Sequence, residues 1–331
     1  MRTLQSQSTG PTPSASGSEE AEAAAANTAP PRMWLNGRIV PPSEARLDFL
    51  TPALHYGVAA FEGIRCYRTA RGPAIFRLQD HLERLVHSAR VLGWRELPFG
   101  IEELARGCKD VVKASGFTEC YIRPLIWLAE GGWNLTVDAG KAYAGIAVWE
   151  WKAYLGAQAV EQGVRANVST FTRHHPNVMM TKAKISGNYP NSVLAKTESL
   201  RLGFDEAVML DAQGMVAECT GENIFLVRKG RLYTPPPGAI LEGITRDSVM
   251  TLARDLGYEV VEQSISRDQL YIADEVFVTG TAAEVIGLRE IDFRAIGSGR
   301  GTPVTRALQQ AYHAAVRGEH RRSGEWVAPV T

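Results

Sequence analysis

The chain has 331 residues, and its 36 Lys and Arg side chains balance 36 Asp and Glu side chains, so the formal net charge is zero. This balance argues against nucleic acid or another polyanion as the main partner. The longest apolar run, AYAGIAVW (Ala142–Trp149), is too short to span a bilayer. The 4 cysteines form no CxxC pair, which argues against a disulfide scaffold and favours a reducing compartment such as the cytoplasm.

The first 31 residues differ in composition from the rest of the chain. They are rich in Ser, Thr, Ala, Gly and Pro and contain no aromatic residue. Such a segment cannot bury enough apolar surface to offset the entropy lost on ordering. We therefore predict a disordered N-terminal tail over residues 1–31, with the folded part beginning near Trp34.

Residues 32–150 are predicted to form a small α+β domain. Asn36-Gly37 between apolar flanks is a strong signal for a β-hairpin. Apolar periodicity then predicts two helices, and continuous apolar runs predict four strands. The predicted helices cover 78–93 and 101–116, and the predicted strands cover 55–67, 73–76, 120–130 and 144–151.

Residues 159–320 are predicted to form a larger domain, joined by a connector at 151–158 and followed by a C-terminal tail at 321–331. Two hairpins are indicated by AVML-DAQG-MVAE and IFLV-RKG-RLYT, and VRANVST, EVVEQSI and EVFVTGT are typical of strands. Helices are predicted at about 190–202, 245–256 and 302–317. Antiparallel strands with interspersed helices favour two α+β domains over a doubly wound sheet.

Two lysines stand out among the 8 in the chain. Lys182 and Lys184 lie in MMTKAKISGNYP, between an apolar run and a Ser-Gly-Asn turn. A lysine in a dry site has a depressed pKa and can form a Schiff base. The two would share one face of an extended segment, so their spacing does not choose between them.

Glu218 ends a predicted strand and precedes the polar loop CTGEN, where it could pair with a protonated ring nitrogen; Glu222 is the nearby alternative. Three weaker signals suit a phosphate. They are Arg84 on a helix, the helix N-terminus that Ile244 and Thr245 open, and the Thr281 turn after a strand. Free N–H groups and the helix dipole favour an anion at a helix N-terminus. The histidine spacing predicts no metal site.

Seven motifs identify a family. They are LHYGVAAFEGIRCY, FRLQDHLERL, YIRPLI, TKAKISGNYPNSVLAKTE, DEAVMLDAQGMVAECTGENIF, PGAILEGITRD and ADEVFVTGTAAEV. Through them the chain resembles class IV pyridoxal 5′-phosphate (PLP) aminotransferases, and most closely branched-chain amino acid aminotransferases of the bacterial type. The resemblance covers about residues 33 to 318. It implies the two-domain fold type IV of D-amino acid aminotransferases, with a small N-terminal α+β domain and a larger C-terminal mixed α/β barrel-like domain.

The resemblance also implies roles for individual residues. The family's catalytic lysine stands five residues before a tyrosine, which here makes Lys184 the lysine and Tyr189 the tyrosine near the cofactor's phenolic oxygen. Glu218 matches the residue that binds the pyridine nitrogen. The matches to the phosphate ligands are Arg84, Ile244, Thr245 and Thr281.

The substrate site follows from the same resemblance. It implies ping-pong transamination of Leu, Ile and Val with 2-oxoglutarate, giving branched 2-oxo acids and L-glutamate. The apolar pocket matches Tyr56, Phe61, Trp151 and Tyr154. The α-carboxylate site matches Tyr121 with the backbone of Thr281 and Ala282, and the γ-carboxylate site of glutamate matches Arg123 and Arg65.

A homodimer, or a larger assembly of dimers, is also implied, with Leu135 reaching the partner subunit's site. Trp133 in the same loop departs from the family pattern, as does HHPNVMM before the lysine. Both leave open a specialised biosynthetic aminotransferase. The fold also hosts D-amino acid aminotransferases and aminodeoxychorismate lyase. A protein that binds PLP without turnover, or a scaffold that acts through the N-terminal tail, are further alternatives.

Overall fold

A computed structural model describes residues 32–151, 157–297 and 302–331. The tail predicted at 1–31 lies outside the described residues, as does most of the connector predicted at 151–158. The described ranges combine helices with two β-sheets, which confirms the α+β prediction. No helix within these ranges is both long and apolar enough to cross a membrane.

The N-terminal part of the described chain alternates short strands with two long helices. Its elements are β1 (Met33–Leu35), β2 (Arg38–Val40), α1 (Pro52–Tyr56), β3 (Ala59–Phe61), β4 (Ile64–Thr69), β5 (Gly72–Phe76), α2 (Leu78–Val91), α3 (Ile101–Ser115), β6 (Cys120–Gly131) and β7 (Gly140–Trp149).

The rest of the chain contributes the second sheet and its helices. Its elements are α4 (Ala157–Gln162), β8 (Val164–Val168), α5 (Tyr189–Arg201), β9 (Glu206–Leu210), β10 (Val216–Cys219), β11 (Asn223–Arg228), β12 (Arg231–Thr234), α6 (Ile244–Asp255), β13 (Val260–Glu262), α7 (Arg267–Tyr271), β14 (Glu275–Gly280), β15 (Glu284–Ile291), β16 (Arg294–Ala295), α8 (Pro303–Val316), α9 (Ser323–Trp326) and β17 (Val327–Pro329).

The first sheet has the strand order β17-β5-β4-β6-β7-β1-β2, with β3 beside β6. Its hairpin at Asn36-Gly37 forms as predicted, with φ of 45° and 88°, the positive values that this tight turn requires. Helices α2 and α3 cover one face of the sheet, because their apolar stripes pack into the same buried cluster as β6.

The second sheet has the order β10-β9-β8-β15-β14-β11-β12-β13, with β16 beside β15. Both predicted hairpins form, as β9–β10 and β11–β12. The sheet is mixed, since β8 runs parallel to both β9 and β15. Strand β10 also lies close to β11, so the sheet curls. Helices α6 and α8 pack on it around Phe225 and Phe277.

Several elements differ from the sequence-based predictions, among them the short helices α4 and α7, which were not predicted. The strand predicted over 55–67 begins instead with α1, since Pro52 suits a first helical turn and Gly57, at φ 69°, ends it. Strand β15 was not predicted, although it lies between β8 and β14. The segment predicted as a C-terminal tail at 321–331 forms α9 and β17, because Trp326 and Val330 are apolar and buried.

Strand β17 pairs with β5, so a strand far along the sequence completes the first sheet. Apart from this strand, the first sheet is built from residues 33–149 and the second from residues 164–295. The division into domains at 32–150 and 159–320 stays a prediction, and the two sheets broadly follow it.

Candidate active site

A single cavity of about 200 Å³ collects most of the residues predicted to be functional. Its wall includes Phe61, Arg84, Tyr121, Arg123, Trp151, Lys184, Tyr189, Glu218, Ile244, Thr245, Thr281 and Ala282. Elements of both sheets contribute these side chains, from β3 and β6 on one side to β10 and α6 on the other. The cavity is therefore built where the two parts of the chain meet.

The structure separates the two candidate lysines. Lys184 lines the cavity, and its Nζ contacts the Tyr189 hydroxyl and lies 4.9 Å from the centre of the Phe61 ring. Lys182 points outward, with Nζ 3.1 Å from Glu242 Oε1 and a side chain that is 43% exposed. The backbone turns at 181–183 rather than running extended, so the two side chains do not share a face.

Backbone contacts fix the position of Lys184. Its N–H donates to Ser88 Oγ at 2.9 Å, and its carbonyl accepts from the Phe61 N–H at 3.0 Å. A bridge between Ala60 and Ile185 continues this pairing. The lysine thus stands on a segment held against α2 and β3, while its amine remains in the cavity.

Glu218 is the buried carboxylate of the cavity. Its Oε2 accepts hydrogen bonds from the Leu241 N–H and from Asn223 Nδ2, both at 3.1 Å. Its Oε1 is buried and has no aligned hydrogen-bond donor among the described residues. Burial raises the pKa of Glu218, while the charges of Arg173 and Lys184 act in the opposite direction. An N–H donor entering the cavity would satisfy this oxygen.

Arg173 is a site residue that the sequence analysis missed. Its Nε lies 2.7 Å from Glu218 Oε1, and both side chains are almost fully buried. The two groups are close enough for a strong charge interaction but are not aligned for a hydrogen bond. Arg173 comes directly before the HHPNVMM segment, outside the motifs that carried the family resemblance, so no pattern pointed to it.

Several groups suited to an anion come together at the N-terminus of α6. The helix begins at Ile244, and Thr245 is buried at its first turn. Arg84 reaches the same place from α2, where its Nη1 donates to the Glu242 carbonyl at 2.9 Å. Thr281 also lines this cavity, from the turn after β14. Free helix N–H groups, a guanidinium and two hydroxyls are suited to a phosphate.

Glu62 holds Arg84 in place and was also missed. It is fully buried; Arg84 Nε and Nη2 donate to its two carboxylate oxygens at 2.6 and 2.8 Å. His81 Nδ1 lies 2.8 Å from the same carboxylate. Burial alone would raise the pKa of Glu62, but Arg84 and the His81 hydrogen bond hold it well below its usual range. The guanidinium is therefore fixed by a permanent anion.

Aromatic rings and one arginine form the remaining wall. Tyr121 and Arg123 are two residues apart on β6, so their side chains lie on the same face of the strand. Arg123 Nη2 donates to Tyr121 Oη at 3.4 Å. The guanidinium of Arg123 lies 4.8 Å from the centre of the Phe61 ring, and its buried Nε has no partner in the described residues. The rings of Tyr121 and Trp151 are 4.6 Å apart. This wall combines apolar surface with an available positive charge.

Two predicted substrate residues of this chain, Tyr56 and Arg65, do not line the cavity. Tyr56 is 44% exposed on α1, and Leu135, which was assigned to the partner subunit's site, is 78% exposed. Arg65 pairs with Glu284 at 3.5 Å, rather than lining the cavity. Tyr154 lies outside the described residues.

Two further features concern the residues of the cavity wall. Thr279 lines it, and its buried Oγ1 has no hydrogen-bond partner among the described residues. A Cβ added at Gly63 would lie 1.8 Å from the Tyr121 hydroxyl, and one added at Gly243 would lie 2.0 Å from Asn223 Oδ1. Larger side chains at these two glycines would therefore displace residues of the wall.

Comparison with known proteins places this geometry in a family. The model for class IV amino-transferases matches residues 59–291. The branched-chain-amino-acid aminotransferase of Pseudomonas aeruginosa is 45% identical over 294 residues, which cover 89% of this chain and 95% of that protein.

Solved structures agree with this result. The T.th. branched-chain amino acid aminotransferase complexed with N-(5′-phosphopyridoxyl)-L-glutamate is 47% identical and superposes with a TM-score of 0.87. The match covers 92% of this chain and 100% of that chain. The same enzyme complexed with 4-methylvaleric acid is 48% identical, with a TM-score of 0.86 over 91% of this chain and 98% of that chain. These likenesses confirm the predicted fold.

Removal of the positive charge of Arg173 is expected to shift the ionisation of Glu218 to higher pH. Burial raises the pKa of Glu218 in the folded protein. The contribution of Glu218 to the free energy of unfolding therefore falls as pH rises from the ordinary glutamate pKa through the folded value. Arg173→Met raises the folded pKa further, so this fall extends to higher pH. The measurement is the melting temperature of the cofactor-free protein from about pH 4 to about pH 9.

Arg173→Lys is the matched control, since it keeps the charge and loses only the guanidinium shape. Its profile is expected to follow the wild type more closely than that of Arg173→Met. Parallel profiles for wild type and Arg173→Met would show that Arg173 does not control this carboxyl group.

Proposed function

The chain belongs to the class IV aminotransferases, and from that premise we propose that it transfers amino groups between branched-chain L-amino acids and 2-oxo acids, with PLP as cofactor. The observation that carries the proposal is that Lys184, Glu218 and the first turn of α6 line one cavity. These three features supply an amine, a buried carboxylate and an anion site. PLP offers the matching groups: an aldehyde, a ring nitrogen and a phosphate.

The residues present fit this cofactor. Glu218 lines the cavity, and its Oε1, which lies 2.7 Å from Arg173 Nε, can also accept a hydrogen bond from a protonated ring nitrogen. The phosphate ligands we propose are Arg84, Thr281, the backbone N–H of Ile244, and Thr245. Tyr189, in contact with Lys184 Nζ, is assigned to the cofactor's phenolic oxygen. When bound, PLP supplies a ring that accepts electrons from the substrate's Cα.

Lys184 has two tasks in this proposal. Its Nζ holds the cofactor covalently between turnovers. Once the substrate amine has displaced it, the free amine would carry the proton between the substrate's Cα and the cofactor's C4′ carbon, first as a general base and then as a general acid. The contact with Tyr189 keeps the amine directed into the cavity, and the ring of Phe61 shields it from water. Glu218 keeps the ring nitrogen protonated, which sustains the electron demand on Cα.

The substrate's α-carboxylate is assigned to the backbone N–H groups of Thr281 and Ala282 with the Tyr121 hydroxyl. Phe61 and Trp151 supply apolar surface for a branched side chain. Arg123 lies beside this surface with an unsatisfied Nε, so it is assigned to the γ-carboxylate of glutamate. The complexes of the T.th. enzyme, with a glutamyl cofactor derivative and with a branched fatty acid, support one pocket for both kinds of side chain.

A homodimer is proposed as the smallest active unit. Phe49, His55, Tyr56 and Trp133 form a connected aromatic surface, with Phe49 80% exposed. Leu135 adds a further exposed apolar side chain in the same loop as Trp133. Contiguous exposed apolar surface of this kind is typical of protein interfaces. We also assign the protein to the cytoplasm, which agrees with four cysteines that are all free thiols.

Lys184→Ala is expected to abolish transamination between L-leucine and 2-oxoglutarate, because no other amine of the described chain lines the cavity. It is also expected to remove the visible absorbance of the lysine-bound cofactor. Lys182→Ala, which changes an outward-facing lysine two residues away, is the matched control and should keep both properties. The reverse result would assign the catalytic role to Lys182.

Arg123→Leu is expected to separate the two amino donors. It removes a charge that glutamate and 2-oxoglutarate need and leucine does not. The loss of a charged hydrogen bond is worth about 1.5–3 kcal/mol, or roughly ten- to a hundredfold in kcat/KM for the acidic substrates. Single-turnover rates with L-glutamate and L-leucine provide the measurement. Equal losses for both donors would make Arg123 a general structural residue.

Trp133→Ala and Leu135→Ala are expected to change the preference among Leu, Ile and Val while PLP stays bound. The reason is that this loop is assigned to the partner subunit's site and not to the cofactor. Light scattering of the wild type should give the mass of two chains or a multiple of it. A fully active monomer would refute the assignment.

A further inference from the structure

A glutamate next to the cavity occupies a backbone conformation that favours glycine. Gly280 at the end of β14 pairs with Glu284 at the start of β15, so Thr281, Ala282 and Ala283 form a three-residue hairpin turn. Hairpins of this length commonly contain a residue with a left-handed φ, for which glycine is best suited. Glu284 has a φ of 62°. The turn before it lines the cavity with Thr281 and Ala282.

The carboxylate of Glu284 is held by groups from outside its own sheet. The Tyr67 hydroxyl donates to its Oε1 at 2.8 Å, and Arg65 Nη1 lies 3.5 Å from the same oxygen. Both residues come from β4 of the first sheet. His313 Nε2, on α8, lies 3.5 Å from Oε2. A glutamate at positive φ is strained and persists only where its surroundings hold it, and these contacts supply that hold.

The contacts of Glu284 join the two halves of the proposed α-carboxylate site. One half is the Tyr121 hydroxyl on β6 of the first sheet, and the other is the pair of N–H groups of Thr281 and Ala282 in the second sheet. Arg65 stands opposite Tyr121 in the β4–β6 register. The contact between Glu284 and β4 therefore ties the turn to the strands around Tyr121. A carboxylate needs both halves at a fixed separation, because hydrogen bonds weaken with distance and misalignment.

We propose that Glu284 is a positioning residue for the substrate's α-carboxylate, because its side chain, bound to Tyr67 and Arg65, fixes the turn so that the N–H groups of Thr281 and Ala282 point into the cavity. This inference rests on the proposed function, since it takes those N–H groups as part of the carboxylate site. Glu284 does not itself line the cavity and acts only through the turn. Its effect is therefore confined to ligands that carry a carboxylate.

The test uses Glu284→Gly, because glycine adopts the left-handed conformation without strain and only the anchored side chain is lost. PLP-loaded protein is titrated with 4-methylvaleric acid, which is leucine without its amino group, and with 3-methylbutylamine, which is leucine without its carboxylate. The absorbance of the lysine-bound cofactor reports binding of either compound. We expect affinity for the acid to fall about tenfold, close to the loss of one hydrogen bond to a charged group, and affinity for the amine to stay unchanged.

Lys229→Gly is the matched control. It places glycine at another positive φ, of 49°, in the turn between β11 and β12, and Lys229 does not line the cavity. Both affinities should therefore stay at the wild-type values. Glu284→Gln keeps the length of the side chain and an acceptor for the Tyr67 hydroxyl, so it should recover most of the affinity that Glu284→Gly loses.

A double-mutant cycle tests the route through β4. Tyr67→Phe keeps the ring that packs 6.4 Å from the Phe76 ring and removes only the hydroxyl. Alone it should weaken binding of 4-methylvaleric acid about threefold, and in the Glu284→Gly background it should have no further effect. If Glu284→Gly does not fold, wild-type affinity of Tyr67→Phe for the acid overturns the proposal by itself.

Three other results would also overturn the proposal. One is an affinity of Glu284→Gly for 4-methylvaleric acid within about twofold of wild type, which would show that only the backbone conformation matters. The others are an equal loss for 3-methylbutylamine and an undiminished effect of Tyr67→Phe in the Glu284→Gly background. Wild-type protein that fails to bind PLP or 4-methylvaleric acid would instead refute the proposed function itself, and that result appears before any variant is made.

Discussion

The fully buried carboxylate of Glu62 is the constraint on which the site depends. Its two oxygens accept hydrogen bonds from Nε and Nη2 of Arg84, and one nitrogen of His81 lies 2.8 Å from the same carboxylate. Nη1 of Arg84 then donates to the Glu242 carbonyl before α6. A guanidinium held in this way spans the two parts of the chain and brings α2 to the N-terminus of α6. If one partner of such a buried pair were removed, the other charge would be left unpaired, at a cost of about 3–5 kcal/mol.

The charges that line the cavity suit an anionic ligand. Four cationic side chains line it: Arg84, Arg123, Arg173 and Lys184. Glu218 is matched by Arg173. Burial and the nearby charge of Glu206 raise the pKa of Glu222 to about 8, so this second acid is largely protonated at neutral pH. The excess of positive charge suits a phosphate together with one or two substrate carboxylates.

The elements that depend on a local sequence pattern were predictable from the sequence. The helices α2, α3, α6 and α8 follow apolar periodicity, and the Asn36-Gly37 turn needs only its own two residues. Strand β15 was missed because its partners β8 and β14 stabilise it from both sides, which is a tertiary effect. The spacing of Lys182 and Lys184 likewise did not show which one faces the cavity, because the directions of their side chains depend on the backbone turn at 181–183. Arg173 and Glu62 function through partners distant in sequence, which no local pattern reveals.

The pairing of β17 with β5 has a consequence for how the protein is made. The Arg77 N–H donates to the Trp326 carbonyl and the Val330 N–H donates to the Pro73 carbonyl, so residues 326–330 close an edge of the sheet that residues 33–149 build. A ribosome synthesises the N-terminal region long before these later residues emerge from its exit tunnel. The edge of β5 that pairs with β17 therefore stays without this partner while the whole second sheet is being translated.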